Sequence, residues 1–188
     1  MKQLSQASKT AIGGMVVALS VVLLIPTALD IFVYALPALA GFLTLFCVIE
    51  LGKSWAFGVY FATALLSMLF VPNKEAAVIY TAFFGYYAIV KALLEKSGMP
   101  RVLEYLLKFL IFNAAVCVAY FVLIHVFGMP LNEVLGSEDG GLFGKYALPA
   151  MLLLGNAVFL LLDFAMTRNA MVYLKLIQPK LHKLFRFK

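Results

Sequence analysis

Charge is scarce in this chain. Aspartate, glutamate, lysine and arginine together make up 13% of its 188 residues, where a soluble domain carries about a quarter. Cysteine and histidine occur twice each and tryptophan once. Cys47 and Cys117 sit inside apolar stretches, outside any Cys-x-x-Cys or Cys/His cluster, so no disulfide framework, redox pair or metal site is read. His125 and His182 stand apart from each other. There is no Gly-x-Ser-x-Gly, no His-Glu-x-x-His, no P-loop and no pair of carboxylates within one apolar run. These absences remove the common catalytic constellations. The chain is read as a non-enzyme with no cofactor, no metal and no ATPase of its own. Arginine-rich voltage-sensing repeats and selectivity-filter sequences are missing as well.

Apolar residues fill the space that charge leaves. They make up 64% of the chain, and the mean hydropathy is +1.01. A soluble protein of this composition would expose large apolar patches. A soluble enzyme, a coiled coil and a disordered chain are therefore excluded. At ~20 residues per span, the length allows six or seven transmembrane helices and no soluble catalytic domain. The formal net charge of +6 is read as basic residues gathered on the cytoplasmic side and near anionic lipid, not as affinity for nucleic acid. The first apolar run passes through Pro26 and Asp30 into the next without a small-residue cleavage site, so no cleavable signal peptide is read.

Six apolar runs are read as spans, over residues 11–29, 31–49, 54–71, 76–94, 103–127 and 146–166. They are continuous and about twice the length of barrel strands, so the fold class is an all-α membrane protein. With six spans, 13 of the 15 lysines and arginines fall on one side, leaving only Lys74 and Lys145 on the other. That asymmetry predicts both termini in the cytoplasm of a bacterial plasma-membrane protein. The outer side carries Asp30, Glu75 and a polar loop with Glu133, Glu138 and Asp139. Residues 1–168 are read as the six-helix transmembrane domain. Residues 169–188 are read as a basic amphipathic tail, an extension of the sixth helix and then an interfacial segment after Pro179. It anchors on anionic lipid or docks a cytoplasmic partner. Pro37 and Pro149 fall within spans, with Pro149 expected in the first turn of its helix, where proline is tolerated.

Few polar residues lie at membrane depth, so each carries weight. Asn113 and Asn156 fall near the middle of consecutive, antiparallel helices. They read as an interhelical amide pair or as the floor of a ligand cavity. Asp163 lies toward the inner end of the sixth helix, with Lys108 and Arg168 as candidate counter-charges. The pair would fix the inner helix ends or couple to a partner. The fourth helix gathers Tyr80, Phe83, Phe84, Gly85, Tyr86 and Tyr87. The cluster reaches too deep to be an interfacial belt alone. It reads as packing or as a stacking surface for a flat, partly polar ligand. Just outside it, Asn73, Lys74 and Glu75 offer both charge signs to a solute, or form a solvated turn. On the first helix, Ala7, Ala11, Gly14 and Ala18 share one face as two small-xxx-small pairs. Such a face admits a close helix, within the chain or from a partner.

Taken together, these features resemble the substrate-binding S components of energy-coupling factor (ECF) vitamin transporters. The stretch Lys9-Thr10-Ala11-Ile12-Gly13-Gly14-Met15-Val16-Val17-Ala18-Leu19-Ser20 resembles the small-residue opening of their first helix, with glycine at one alanine position. The resemblance implies six helices with both termini in the cytoplasm. It implies a T-type transmembrane coupling subunit seated on Ala7, Ala11, Gly14 and Ala18, two cytoplasmic ABC ATPases, and a small-molecule solute bound near the outer surface. By position in the fold it points to Asp30, Asn73, Lys74, Glu75, Tyr80, Phe84 and Tyr87 as ligand-binding residues, beside Asn113 and Asn156. It also implies a cycle in which the subunit topples in the membrane to release its solute inside. Two other classes fit the same composition: a non-catalytic assembly or scaffold protein of the cell envelope, and a small autonomous transporter.

Overall fold

The computed structural model describes residues 5–30, 32–130 and 142–179. Among them the chain is helical apart from short connections, with no strand. Helix α1 spans Gln6–Leu24 and passes into a 3₁₀ turn over Ile25–Leu29. Helices α2 (Ala35–Glu50) and α3 (Lys53–Phe70) follow. Helix α4 runs over Lys74–Lys96 and contains a π-turn at Tyr80–Phe84. Helix α5 spans Arg101–His125, and α6 spans Leu142–Val172 before a second π-turn at Tyr173–Ile177. Five of these helices are long and apolar enough to cross a membrane. The exception is α2, whose 16 residues reach ~24 Å against a hydrocarbon core of ~30 Å. The acidic loop residues Glu133, Glu138 and Asp139, and the basic tail from Lys180 onward, lie outside the described residues.

Local chemistry sets the helix ends. The Ser5 hydroxyl accepts from the Ser8 N–H at 3.2 Å and caps α1. Asp30 and Phe32 adopt left-handed backbone (φ 55° and 57°) where the chain turns from the 3₁₀ segment into α2. At the other end of α2, the N–H groups of Leu51 and Gly52 both return to the Cys47 carbonyl. Gly52 there takes φ 91°, which favours glycine. The Asn73 side chain accepts from the Ala76 N–H at 2.9 Å and caps α4.

The two prolines exchange the positions expected of them. Pro37 is the third residue of α2, in the first turn, where its missing N–H has no helical partner to lose. Pro149 is not in a first turn, because α6 already begins at Leu142 and continues through it. Its ring leaves the carbonyl four residues earlier without its usual donor.

Helix α4 is the centre of the bundle. Half of its apolar window is buried, against 17% for that of α6. Val16, Cys47, Ala56, Val59 and Ile89 join α1, α2, α3 and α4 in one core. Leu24, Ala40, Ala64, Ala77 and Tyr80 extend it toward the loops at residues 30 and 72. Leu45, Phe83, Tyr87, Phe159 and Met166 carry α6 onto α2 and α4. Outward faces are apolar too: Phe61 is 72% exposed and Leu153 75%. Such faces suit a lipid environment, where no water has to be kept from them.

Candidate functional site

Consecutive glycines on α1 have different surroundings. A Cβ on Gly13 would meet Val59 at 3.3 Å, whereas one on Gly14 would meet nothing within 4 Å. Val16, Ser20 and Leu24 continue the buried face from Gly13. Ala7, Ala11, Gly14 and Ala18 are all exposed, beside Met15 and Leu19. The stripe of small residues is therefore unused by the packing of the described chain.

The polar residues between the ends of α1 and α2 and those of α3 and α4 bind one another. Asn73 donates to the Asp30 carboxylate at 2.9 Å. Tyr34 donates to Glu75 at 2.7 Å. The Lys74 ammonium donates to the carbonyls of Met68 and Val71 at 2.9 and 3.0 Å, closing the exit of α3. The Asn73–Asp30 and Tyr34–Glu75 bonds thus tie one loop to the other, with Lys74 beside them bonded to the end of α3.

The aromatic cluster lies on the π-turn, which no sequence pattern marked. The Gly85 N–H bonds to the Tyr80 carbonyl, five residues back. The Thr81 carbonyl instead accepts from the Tyr60 hydroxyl of α3 at 2.9 Å. A Cβ on Gly85 would collide with the Tyr60 ring at 2.6 Å, and one on Gly41 with the Phe84 carbonyl at 2.7 Å. Glycine at both positions lets α2 and α3 close on the widened turn. Tyr80 is wholly buried among α1–α4. Its hydroxyl lies beside the side-chain hydroxyls of Thr44 and Thr63. Phe84 is packed edge-on against Phe83. Phe83 and Tyr87 contact Phe159 of α6, which stacks on Phe112 of α5 at 4.8 Å.

Asn113 and Asn156 meet. Each amide donates to the other's oxygen, at 3.0 and 3.2 Å. Their remaining N–H groups donate to the carbonyls of Phe109 and Leu152 in the preceding turns. Both donors of each amide are therefore occupied within the pair and its own helices.

An ionic cluster joins α4, α5 and α6 one layer further in. Asp163 is 4% exposed. It accepts from Tyr87 at 2.6 Å, from Lys91 at 2.5 Å and from Lys108 at 3.3 Å. Lys91 also pairs with Glu95 at 2.7 Å, and Lys108 with Glu104 at 2.7 Å. The Lys108–Asp163 pairing anticipated from sequence is present, whereas the Arg168 guanidinium lies over the Phe164 ring. Lys91 and Tyr87 were missed as members. The available signal was their spacing: residues 87, 91 and 95 stand on one face of α4, as do 104 and 108 on α5. Past this layer, Tyr173 and Gln178 both donate to Glu50 of α2, at 2.9 and 3.0 Å.

His125 stacks on Phe121 at 4.4 Å. Among the described residues, no group of three His, Cys, Asp or Glu side chains is placed to hold a metal ion. No protein-family model matches the chain, and no curated protein or solved structure matches it.

Proposed function

We propose that this chain is the substrate-binding, S-component-like subunit of an ATP-driven ECF importer for a vitamin or similar small solute. The exposed stripe of Ala7, Ala11, Gly14 and Ala18 on α1 carries this reading. Small residues let a partner helix approach closely in lipid, and the inward packing of α1 uses the opposite face, through Gly13, Val16 and Leu24. The partner is a T-type membrane subunit that couples to two cytoplasmic ABC ATPases. Both termini lie in the cytoplasm of the plasma membrane, as the 13-to-2 partition of the 15 basic residues implies. The solute binds near the outer end, by Asp30, Asn73, Lys74 and Glu75, above the aromatic cluster.

The test is a mild-detergent pull-down of the tagged chain from native membranes, beside the Gly14→Leu/Ala18→Leu variant. The expected result is recovery of a T-like subunit and two ABC ATPases with the wild-type chain, and their loss with the variant while it remains folded. Unchanged recovery removes α1 from the argument. Recovery of envelope-synthesis proteins without ATPases supports the scaffold reading, which the mutual pairing of the outer polar residues favours.

A further inference from the structure

A groove of about 500 Å³ runs between α3, α4 and α5, within the size range of small-ligand sites. Met68, Thr81, Ala82, Tyr86, Ala114 and Val118 line it. Alanines at positions 82 and 114 leave the volume open where larger side chains would fill it. The Thr81 hydroxyl is bonded back to the Ala77 carbonyl at 2.8 Å. Among the lining residues that leaves the Tyr86 phenol as the one other polar side-chain group.

The α5 flank of the groove faces outward. Val118, which lines it, is 55% exposed, and Phe121 beside Val122 on α5 is 59% exposed. In a chain that spans a bilayer, the groove therefore opens into hydrocarbon, and what reaches it is an alkyl chain. Its length fits that occupant. Along α5 the lining extends from Ile111 to Val122, ~16 Å at 1.5 Å per residue. One leaflet supplies half of the ~30 Å hydrocarbon core. One wall is the π-turn itself, through Thr81 and Ala82, held from behind by Tyr60. π-turns inside α-helices are frequent at functional sites.

We propose that this groove binds a single acyl chain of a bilayer lipid, seated in one leaflet against the π-turn of α4. The proposal does not depend on the transport reading.

The experiment uses the full-length chain, delipidated in maltoside detergent and titrated with dioleoyl phosphatidylglycerol under native mass spectrometry. One tightly retained lipid per chain is expected, displaced by an oleoyl lysolipid and equally retained with a phosphatidylcholine headgroup. Ala114→Phe and Ala82→Phe fill the groove from opposite walls. Each is expected to weaken retention at least about tenfold, the equivalent of losing two buried methylenes. Leu153→Phe, on the exposed face of α6, is expected to leave it unchanged. Helix content and monodisperse elution establish that a variant is folded. If neither filled variant folds, displacement by lysolipid in the wild-type chain decides. A statistical ladder of weak adducts, equal in folded Ala82→Phe or Ala114→Phe and in Leu153→Phe, overturns the proposal. So does retention that follows the headgroup, or that the lysolipid fails to displace.

Discussion

Removing Lys91 is expected to cost more than neutralising Asp163. Two ammonium groups, Lys91 and Lys108, face three carboxylates, Glu95, Glu104 and Asp163, so the cluster carries a formal charge of −1. The Lys91 and Lys108 side chains are 4% and 2% exposed and that of Asp163 5%, whereas Glu95 is 41% exposed. Asp163→Asn lowers the formal charge to zero. It leaves each lysine a carboxylate at 2.7 Å, Glu95 for Lys91 and Glu104 for Lys108. Lys91→Met raises the charge to −2 and leaves Asp163 with Tyr87 and a lysine at 3.3 Å. Breaking a buried pair costs about 3–5 kcal/mol when it strands a charge. Lys91→Met is placed in that range, and Asp163→Asn below it, at about 1–3 kcal/mol, the cost of a hydrogen-bonded charge lost where partners remain. Lys91→Met with Asp163→Leu removes the stranded charge and is expected to recover about 2 kcal/mol or more against the sum of the singles. The assay is reversible unfolding in mixed micelles followed by far-ultraviolet circular dichroism. Additive single costs, or a larger loss for Asp163→Asn than for Lys91→Met, would refute the reasoning.

The amide pair and the glycine contacts yield two further predictions. Asn113→Leu and Asn156→Leu should each destabilise the fold, with a coupling energy of about 0.6–2 kcal/mol in a double-mutant cycle; zero coupling would mean that the mutual bonds contribute nothing. Gly41→Ala should cost about 1–3 kcal/mol, because its Cβ would lie 2.7 Å from the Phe84 carbonyl and backbone has to move. Gly14→Ala, with open space around it, should stay within about 0.5 kcal/mol of wild type. Equal melting temperatures for the two alanine variants would contradict the different glycine surroundings.

Hydropathy made the all-helical class legible, because in lipid every backbone polar group needs an internal partner and long apolar runs have one common solution. Depth was legible as well. Asn113 and Asn156 meet because each lies near the middle of its own helix, and α5 and α6 set those middles at one height. Rotation about each helix axis was less so. The sequence puts Gly14 on one face with Ala7, Ala11 and Ala18, but only the packing of Gly13 against Val59 shows that this face turns outward. The aromatic run read as one surface. The π-turn, set by the Tyr60 hydroxyl and the close approach of Gly41, divides it between the α1–α4 core and the contact with α6. Lys91 counted as one more positive charge among the basic residues until the bundle brought α4 and α6 together around Asp163. Composition by itself determined the class of protein, because transfer of apolar surface out of water is additive along the chain. The groove, the ionic cluster and the free face of α1 were decided only by tertiary structure, because each depends on which residues of different helices share one height and one direction.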